Sequence, residues 1–187
     1  MVNISFNDKT MKELKDLVGK TFESFYCDPF IYSSTVYGIV GLYINGKAYK
    51  ITCDLNSIQR FFNKDEVAVL KFEECQPSDI MSRMDDGKMI NTPMKDTIKS
   101  IDVVNELESV LHENEERSVY STKGLIFHFA SGNELSFEVC TWFSELITIR
   151  KGYELISEFT PTSDFYEEWN EEDGYIPKNK REIVTIA

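Results

Sequence analysis

The chain has 187 residues, of which 42% are hydrophobic and 13% aromatic, and its formal net charge is −12. The apolar content excludes disorder over the whole length, and the acidic excess argues against direct binding of nucleic acid, whose phosphates need clustered Lys and Arg. No apolar run reaches the roughly 18–20 residues of a membrane span and residues 1–10 lack the features of a signal peptide, so we expect a cytoplasmic protein that does not enter the membrane.

The first predicted element is an amphipathic helix near the N-terminus. Asn7 or Asp8 can cap its start, and Gly19 is a typical stop. The apolar residues at helical spacing are Met11, Leu14, Leu17 and Val18. This pattern predicts a helix that packs against the rest of the protein through one face.

From residue 20 the sequence has the alternation and turn signals of β-strands. Asn45-Gly46 lies between two apolar-rich runs, 36–44 and 47–53, and Asn-Gly is a strong hairpin signal because both turn positions need a positive φ. Residues 66–72 are predicted to form a third strand.

The middle of the chain predicts less regular structure. Residues 75–97 include Pro77, Asp85-Asp86-Gly87, Asn91 and Pro93, which indicates a long loop that is either mobile or a domain boundary. Residues 97–104 are predicted to be a strand, and residues 106–116 an acidic connection that is partly helical.

The second half returns to strands. Residues 123–129 and 134–139 flank a turn at 131–133 and predict another hairpin. The remaining predicted elements are a strand at 145–150, an extension of the sheet at 154–159, a short helix at 164–169 capped by Ser163, and a closing strand at 180–186.

The two strand-rich regions share an order of features. Each has a hairpin with a turn glycine, then an aromatic pair, then a glutamate that opens an apolar strand; the residues are Gly46, Phe61-Phe62 and Glu66 in one, and Gly132, Trp142-Phe143 and Glu145 in the other. This order predicts a duplicated three-stranded unit, 36–74 and 123–150, although any two β-meanders share alternation and turn glycines.

The expected fold class is α+β, predominantly antiparallel β with an N-terminal helix and a short C-terminal helix. The predicted division is an N-terminal helix plus β-meander lobe at 1–92 and an acidic β-meander lobe at 93–187, with one continuous domain as the alternative.

The negative charge is concentrated in the second half. Residues 1–100 carry 14 acidic and 13 basic residues, whereas residues 101–187 carry 18 acidic and 7 basic residues, so the net charges are −1 and −11. Lys and Arg are absent from 102–116 and from 154–173, and the second of these stretches also contains several aromatic residues.

Carboxylates interleaved with aromatic side chains suit a basic partner surface, including one that normally holds nucleic acid. The predicted partner-binding residues are Glu154, Glu158, Asp164, Tyr166, Glu167, Glu168, Trp169, Glu171, Glu172 and Asp173. The alternative is a solvated acidic face that serves solubility, with the aromatic residues filling the core.

The sequence predicts no catalytic residue, metal site or cofactor. The two histidines, His112 and His128, lack ligand spacing, the four cysteines show no C-x-x-C pattern and are expected to be thiols, and no phosphate-binding, dinucleotide, zincin or serine-hydrolase motif occurs. Residues 85–87 (Asp-Asp-Gly) and 172–174 (Glu-Asp-Gly) lack the full calcium-loop series and are predicted to be turns, with weak cation binding as the alternative.

The leading hypothesis is a non-enzymatic module that docks on a basic protein surface, as an inhibitor or nucleic-acid mimic from a phage or mobile element. One alternative is a small hydrolase or transferase with a carboxylate or Cys–His site between the lobes, which would pair Cys75 or Cys140 with a histidine or bring two carboxylates together. Another alternative is an immunity-type protein that neutralises a toxin.

Overall fold

The computed structural model describes residues 1–32, 34–84, 87–169 and 173–187, with the side chain of Cys140 left aside. The described chain forms eleven strands, two α-helices and two short 3₁₀ turns, at 77–79 and 155–158. The helices are α1 (Asp8–Leu17) and α2 (Asp164–Glu167). The strands are β1 (Val2–Ile4), β2 (Thr21–Cys27), β3 (Thr35–Tyr37), β4 (Ile39–Ile44), β5 (Lys47–Arg60), β6 (Asn63–Cys75), β7 (Ile90–His112), β8 (Glu115–Phe129), β9 (Glu134–Thr141), β10 (Ser144–Gly152) and β11 (Ile176–Ile186).

The strands form one sheet that curls back on itself. Their order is β3-β10-β9-β8-β7-β2-β4-β5-β6, and β11 and β1 pair in addition with β7 and β8. All pairings are antiparallel except that of β1 with β8 among the described strands. Gly38 alone separates β3 from β4, and its φ of 65° lies in the left-handed region that favours glycine. At Gly38 the chain therefore passes directly from β3, at one end of the strand order, to β4, in the other half of that order.

The main core lies on the inner face of the curled sheet and takes residues from both halves of the chain. The ring of Phe22 packs edge-on against Phe127 and Phe129, with centroids 5.3 and 5.5 Å apart. Leu14 and Leu17 of α1 are buried in the same core. The expectation of an α+β fold, mostly antiparallel β with an N-terminal helix, is confirmed.

Several local predictions are confirmed. Helix α1 begins after Asn7, whose side chain accepts a hydrogen bond of 3.0 Å from the Thr10 N–H. The Asn45-Gly46 turn joins β4 to β5, and both residues have a positive φ. The predicted strands at 66–72, 123–129, 134–139, 145–150 and 180–186 lie within β6, β8, β9, β10 and β11, and α2 occupies the predicted short helix without a side-chain cap from Ser163.

Two predictions in the middle of the chain are wrong. Residues 90–97 are not loop but the first part of β7, where they pair with β2; this segment has few apolar residues and contains Pro93, so alternation does not reveal it. Residues 106–116 are not a helical connection, because β7 continues to His112 and β8 begins at Glu115. Glu106 and Glu108 lie on either side of Leu107, which is the period-2 alternation of a strand.

The predicted extension of the sheet at 154–159 is also wrong. Glu154 adopts the left-handed conformation with φ of 53°, which ends the strand direction of β10. Residues 155–158 then form a 3₁₀ turn. The chain consequently leaves the sheet at this point and crosses its surface.

The segments 36–74 and 123–150 both contain three-stranded meanders, β4-β5-β6 and β8-β9-β10. Strand β7 runs through the proposed division at 92/93. The two lobes and their duplication stay predictions. Among the described helices, none has the length and apolar character required to cross a membrane.

Candidate functional site

The outer face of the sheet carries an unusual row of charged residues. Alternate residues of a strand point to opposite faces of the sheet. In β7, residues of the main core face inward, so every second residue from Asp102 to Val110 faces outward. Glu106 and Glu108 belong to this outward set, yet both are buried. They are buried because another part of the chain lies over them.

That part is residues 153–169, which we call the covering segment. Its Phe159 is buried against Val104 and Ile126 on the outer face of the sheet. A Cβ atom on Gly124 would lie 2.7 Å from Cε1 of the Phe159 ring, so glycine leaves the space that this ring fills. The Thr160 N–H donates a 2.7 Å hydrogen bond to Oε1 of Glu138, which fixes the backbone of the segment to β9.

Glu106 is held by β11. Its Oε1 accepts a hydrogen bond of 2.9 Å from Nε of Arg181, and its Oε2 accepts one of 2.9 Å from Nδ2 of Asn179. The Arg181 guanidinium also donates to the backbone carbonyl of Thr160. One arginine thus joins a buried carboxylate to the covering segment.

Glu108 meets a lysine from a β-bulge. Val104 pairs with Gly124 and Asn105 with Thr122, so Lys123 is an extra residue in β8. A bulge turns the side chain of its extra residue, and Nζ of Lys123 lies 3.2 Å from Oε1 of Glu108. Burial raises the pKa of the Glu108 carboxyl, and the charge of Lys123 only partly opposes that rise.

Trp142 contacts both Glu108 and Lys123. Its indole Nε1–H donates a 3.2 Å hydrogen bond to Oε1 of Glu108, and Nζ of Lys123 lies 3.7 Å from the centroid of its ring. The guanidinium of Arg60 lies 4.9 Å from the same ring and forms an ion pair with Glu168 of the covering segment. A cation over an aromatic face is stabilised by the ring quadrupole, so both cations keep Trp142 in place.

These groups line a pocket of about 170 Å³, which we call the ion-pair pocket. Its charged lining residues are Glu106, Glu108, Lys123, Glu138, Asp164, Glu168 and Arg181. Two buried acceptor atoms of residues that line it, Oε2 of Glu108 and Oδ1 of Asn179, have no hydrogen-bond partner. The ion-pair pocket is therefore a buried polar site with two hydrogen-bond acceptors that have no donor.

The structure divides the predicted partner-binding residues into three groups. Those exposed on the covering segment or just beyond it are Glu154, Glu158, Asp164, Tyr166, Glu167, Glu168 and Asp173. Trp169 is half-buried in an aromatic cluster with Phe61 and Phe165. Glu171 and Glu172 lie outside the described residues, as do Asp85 and Asp86 of the first predicted turn and Glu172 of the second.

The sequence reasoning missed the ion-pair pocket. It treated residues 106–116 as an acidic, partly helical connection, although Glu106 and Glu108 lie two positions apart on one strand. Period-2 spacing of carboxylates next to Val104 and Val110 was the available signal. Nothing in the sequence indicated that Lys123 or Arg181 would face them.

A second outward-facing cluster centres on His128. Its Nε2 lies 2.8 Å from Oδ2 of Asp102, and its Nδ1 lies 3.2 Å from Oε1 of Glu134. The hydrogen bond with Asp102 is the main cause that raises the pKa of His128, and the same bond lowers the pKa of Asp102. Thr185 of β11 donates a 2.6 Å hydrogen bond to Asp102, so the cluster links four strands. The described residues contain no group of side chains suited to hold a metal ion.

This cluster predicts a pH-dependent stability. Because the folded pKa of His128 is raised, its contribution is complete below the unfolded value of about 6.5 and is lost as the pH rises through the folded value. At the acid end the contribution disappears as the pH falls through the lowered pKa of Asp102. We expect His128→Gln to lower the free energy of unfolding by about 0.5–1.5 kcal/mol near pH 5.5 and by less near pH 8.5, measured by urea denaturation. Equal losses at the two pH values would contradict the assignment.

For two of the described thiols, Cys27 and Cys75, a nucleophilic role is disfavoured. Burial raises the pKa of Cys27 to about 11 and also raises that of Cys75, which disfavours the thiolate in both. The ion-pair pocket and the acidic surface of the covering segment are therefore the features on which a function can be argued. Comparison of the chain with protein-family models, with curated proteins and with solved structures finds no match.

Proposed function

We propose that this protein is a non-enzymatic binding module whose acidic covering segment docks on a basic surface of another protein. The observation that carries the proposal is the state of its carboxylates. Glu154, Glu158, Asp164 and Glu167 are exposed, and within the described part of the chain none of them has an ion-pair partner. Their negative charge is thus available to a partner.

The rigidity of the covering segment supports the proposal. Phe159 and Phe165 are buried, and backbone atoms of the segment bond to Glu134, Glu138 and Arg181. Because the backbone of the covering segment is already fixed, binding a partner costs only the side-chain freedom of its carboxylates and no ordering of the backbone. Tyr153 and Tyr166 are exposed beside them and offer the amphipathic contact area that is enriched at interfaces.

A basic surface that normally holds nucleic acid is the partner that this chemistry fits best, because carboxylates at fixed positions can replace a run of phosphates. The narrower roles are an inhibitor or nucleic-acid mimic of the anti-defence type, acting for a phage or mobile element, and an immunity-type protein that neutralises a toxin. The two roles differ in the identity of the basic partner.

A second candidate function, a small hydrolase or transferase, has one observation in its favour. Glu108 is a buried carboxyl of raised pKa beside a pocket, which is a typical setting for a general acid or base. However, the pocket of about 170 Å³ is smaller than the roughly 300–1,000 Å³ of small-molecule sites. The oxygens of Glu106 and Glu138 are also all engaged in hydrogen bonds, so binding is the better-supported function.

The docking proposal is tested by reversing two charges on the covering segment and comparing the effect with the same two reversals elsewhere on the protein. We expect the double variant Glu154→Lys and Glu167→Lys to bind a lysine-rich linker histone, used as a basic probe protein, about ten- to thirtyfold more weakly than the unmodified chain at low salt. The difference shrinks as salt is added, because exposed charges are screened. Binding is measured by calorimetry over a salt series.

The matched control is Asp16→Lys and Glu66→Lys, which changes the net charge equally through two exposed acidic residues on α1 and β6. A similar loss in both double variants would mean that only net charge matters, and it would overturn the docking proposal. A partner that is captured from nuclease-treated lysate and not from untreated lysate would show, in addition, that nucleic acid occupies the partner surface.

A further inference from the structure

We infer that the ion-pair pocket takes up one cationic side chain, a lysine or an arginine, of the basic partner protein. The inference rests on the proposed function and names what the partner inserts. It begins from the two unpartnered acceptors. Glu108 pairs with Asn179 across β7 and β11, so Oε2 of Glu108 and Oδ1 of Asn179 belong to neighbouring residues. Both accept hydrogen bonds only, and a buried acceptor without a donor is costly.

The charges around the pocket also leave room for one cation. Five carboxylates line it, from Glu106, Glu108, Glu138, Asp164 and Glu168, and two cations line it, from Lys123 and Arg181. Arg60 and Arg150 add an ion pair each, to Glu168 and Glu138. Five negative charges against four positive charges leave one negative charge uncompensated, and a single ammonium or guanidinium group would balance it.

Lys123 does not fill this role itself. Its ammonium lies beside Oε1 of Glu108, at 3.2 Å, and over the ring of Trp142, at 3.7 Å. The other carboxylate oxygen, Oε2, is the one without a partner, although Glu108 is only 2% exposed. A second cation can therefore bind Glu108 without displacing the first.

The size and walls of the pocket fit such a side chain. A cavity of about 150 Å³ is known to hold a six-carbon ring, and the ion-pair pocket has about 170 Å³. Val139 and Phe165 supply apolar wall beside the charged groups, which suits the methylene stem of Lys or Arg. Asp164 and Glu168 also line the pocket and are exposed to solvent, so they lie where the cation would enter.

The test uses short peptides and needs no partner protein. The probes are acetyl-Gly-Lys-Gly-amide and acetyl-Gly-Arg-Gly-amide, with norleucine and citrulline as neutral counterparts, and the readout is the indole N–H signal of Trp142 in nuclear magnetic resonance spectra. Trp169, which does not line the pocket, is the internal reference. We expect saturable shifts of the Trp142 signal with the two cationic peptides and none with the neutral ones.

Single substitutions test whether the cationic peptides bind in the ion-pair pocket. Glu108→Gln is expected to weaken binding of the better cationic peptide at least about tenfold, because a hydrogen bond to a charged acceptor is lost. Glu66→Gln removes the same charge from β6, outside both the pocket and the covering segment, and is expected to change the affinity less than about twofold. If Glu108→Gln does not fold, Asp164→Asn at the exposed side of the pocket replaces it, with an expected loss of about threefold.

Three outcomes would overturn the inference. One is equal shifts with the cationic and neutral peptides, and another is no shift with any peptide, which would mean that the pocket holds water only. The third is binding of free butylamine as tightly as the lysine peptide, which would assign the pocket to a small amine. The histone experiment is independent of these results, since it varies Glu154 and Glu167 outside the pocket, so failure here leaves the docking proposal standing.

Discussion

Replacing Lys123 with Met is expected to lower the free energy of unfolding by about 3–5 kcal/mol at neutral pH. The reason is that Glu108, which is 2% exposed, would keep its charge in a buried site after losing the cation beside it. Met fills a similar volume, so the loss reports charge rather than packing. The measurement is urea denaturation followed by circular dichroism.

The pH and a second substitution make this prediction specific. Burial already raises the pKa of Glu108, so protonation at pH 5 is expected to recover part of the lost stability of Lys123→Met. Glu108→Leu in the same chain is expected to recover most of it, because an apolar pair can replace a buried ion pair. The control is Lys47→Met in the exposed pair with Glu74, which is expected to leave the free energy of unfolding nearly unchanged. Equal losses in Lys123→Met and Lys47→Met would contradict the argument.

Replacing Phe159 with Ala is expected to cost about 3–5 kcal/mol and to loosen the covering segment. Phe159 is 3% exposed, and its ring packs on Val104 and Ile126 and fills the space beside Gly124. Without it the hydrogen bond from the Thr160 N–H to Glu138 would open more often. Hydrogen exchange at the Thr160 amide, together with the denaturation midpoint, measures both effects.

The control for this variant is Tyr153→Ala, since Tyr153 lies at the start of the covering segment and is 69% exposed. Its expected loss is below about 0.5 kcal/mol. If Phe159→Ala lowered the stability but left the exchange rate of the Thr160 amide unchanged, the covering segment would be held by its polar bonds alone. The acidic surface would then be held in place by the hydrogen bond to Glu138 and not by the Phe159 ring.

Local patterns predicted much of the fold. The helix start, the Asn-Gly hairpin and the turn at 131–133 depend on residues a few positions apart, and each was predicted correctly, with Asn7 as the cap of the two candidates Asn7 and Asp8. The strand at 90–97 was missed because its partner β2 lies about 70 residues earlier in the chain, and pairing rather than its own composition makes it a strand.

The site could be predicted only in part. The acidic, aromatic-rich segment was identified from composition, and its residues Glu154, Glu158, Asp164 and Glu167 are exposed. That they bind a partner stays a prediction. The partners of Glu106 and Glu108 could not be identified, because Arg181 is 75 residues from Glu106 and Lys123 reaches Glu108 through a bulge. Long-range pairing of this kind leaves no periodic trace in a single sequence.

The pairing of the first strand has a consequence for how the protein folds on the ribosome. Strand β1 pairs in parallel with residues 119–121, and Thr35 of β3 pairs with Thr148 of β10. Residues 2–4 are therefore synthesised more than a hundred residues before the residues with which they pair. Closing such large loops costs conformational entropy, and this cost slows folding. We expect refolding of the isolated chain to be slow relative to helical proteins of its size, and nascent chains that end before residue 119 to remain protease-sensitive.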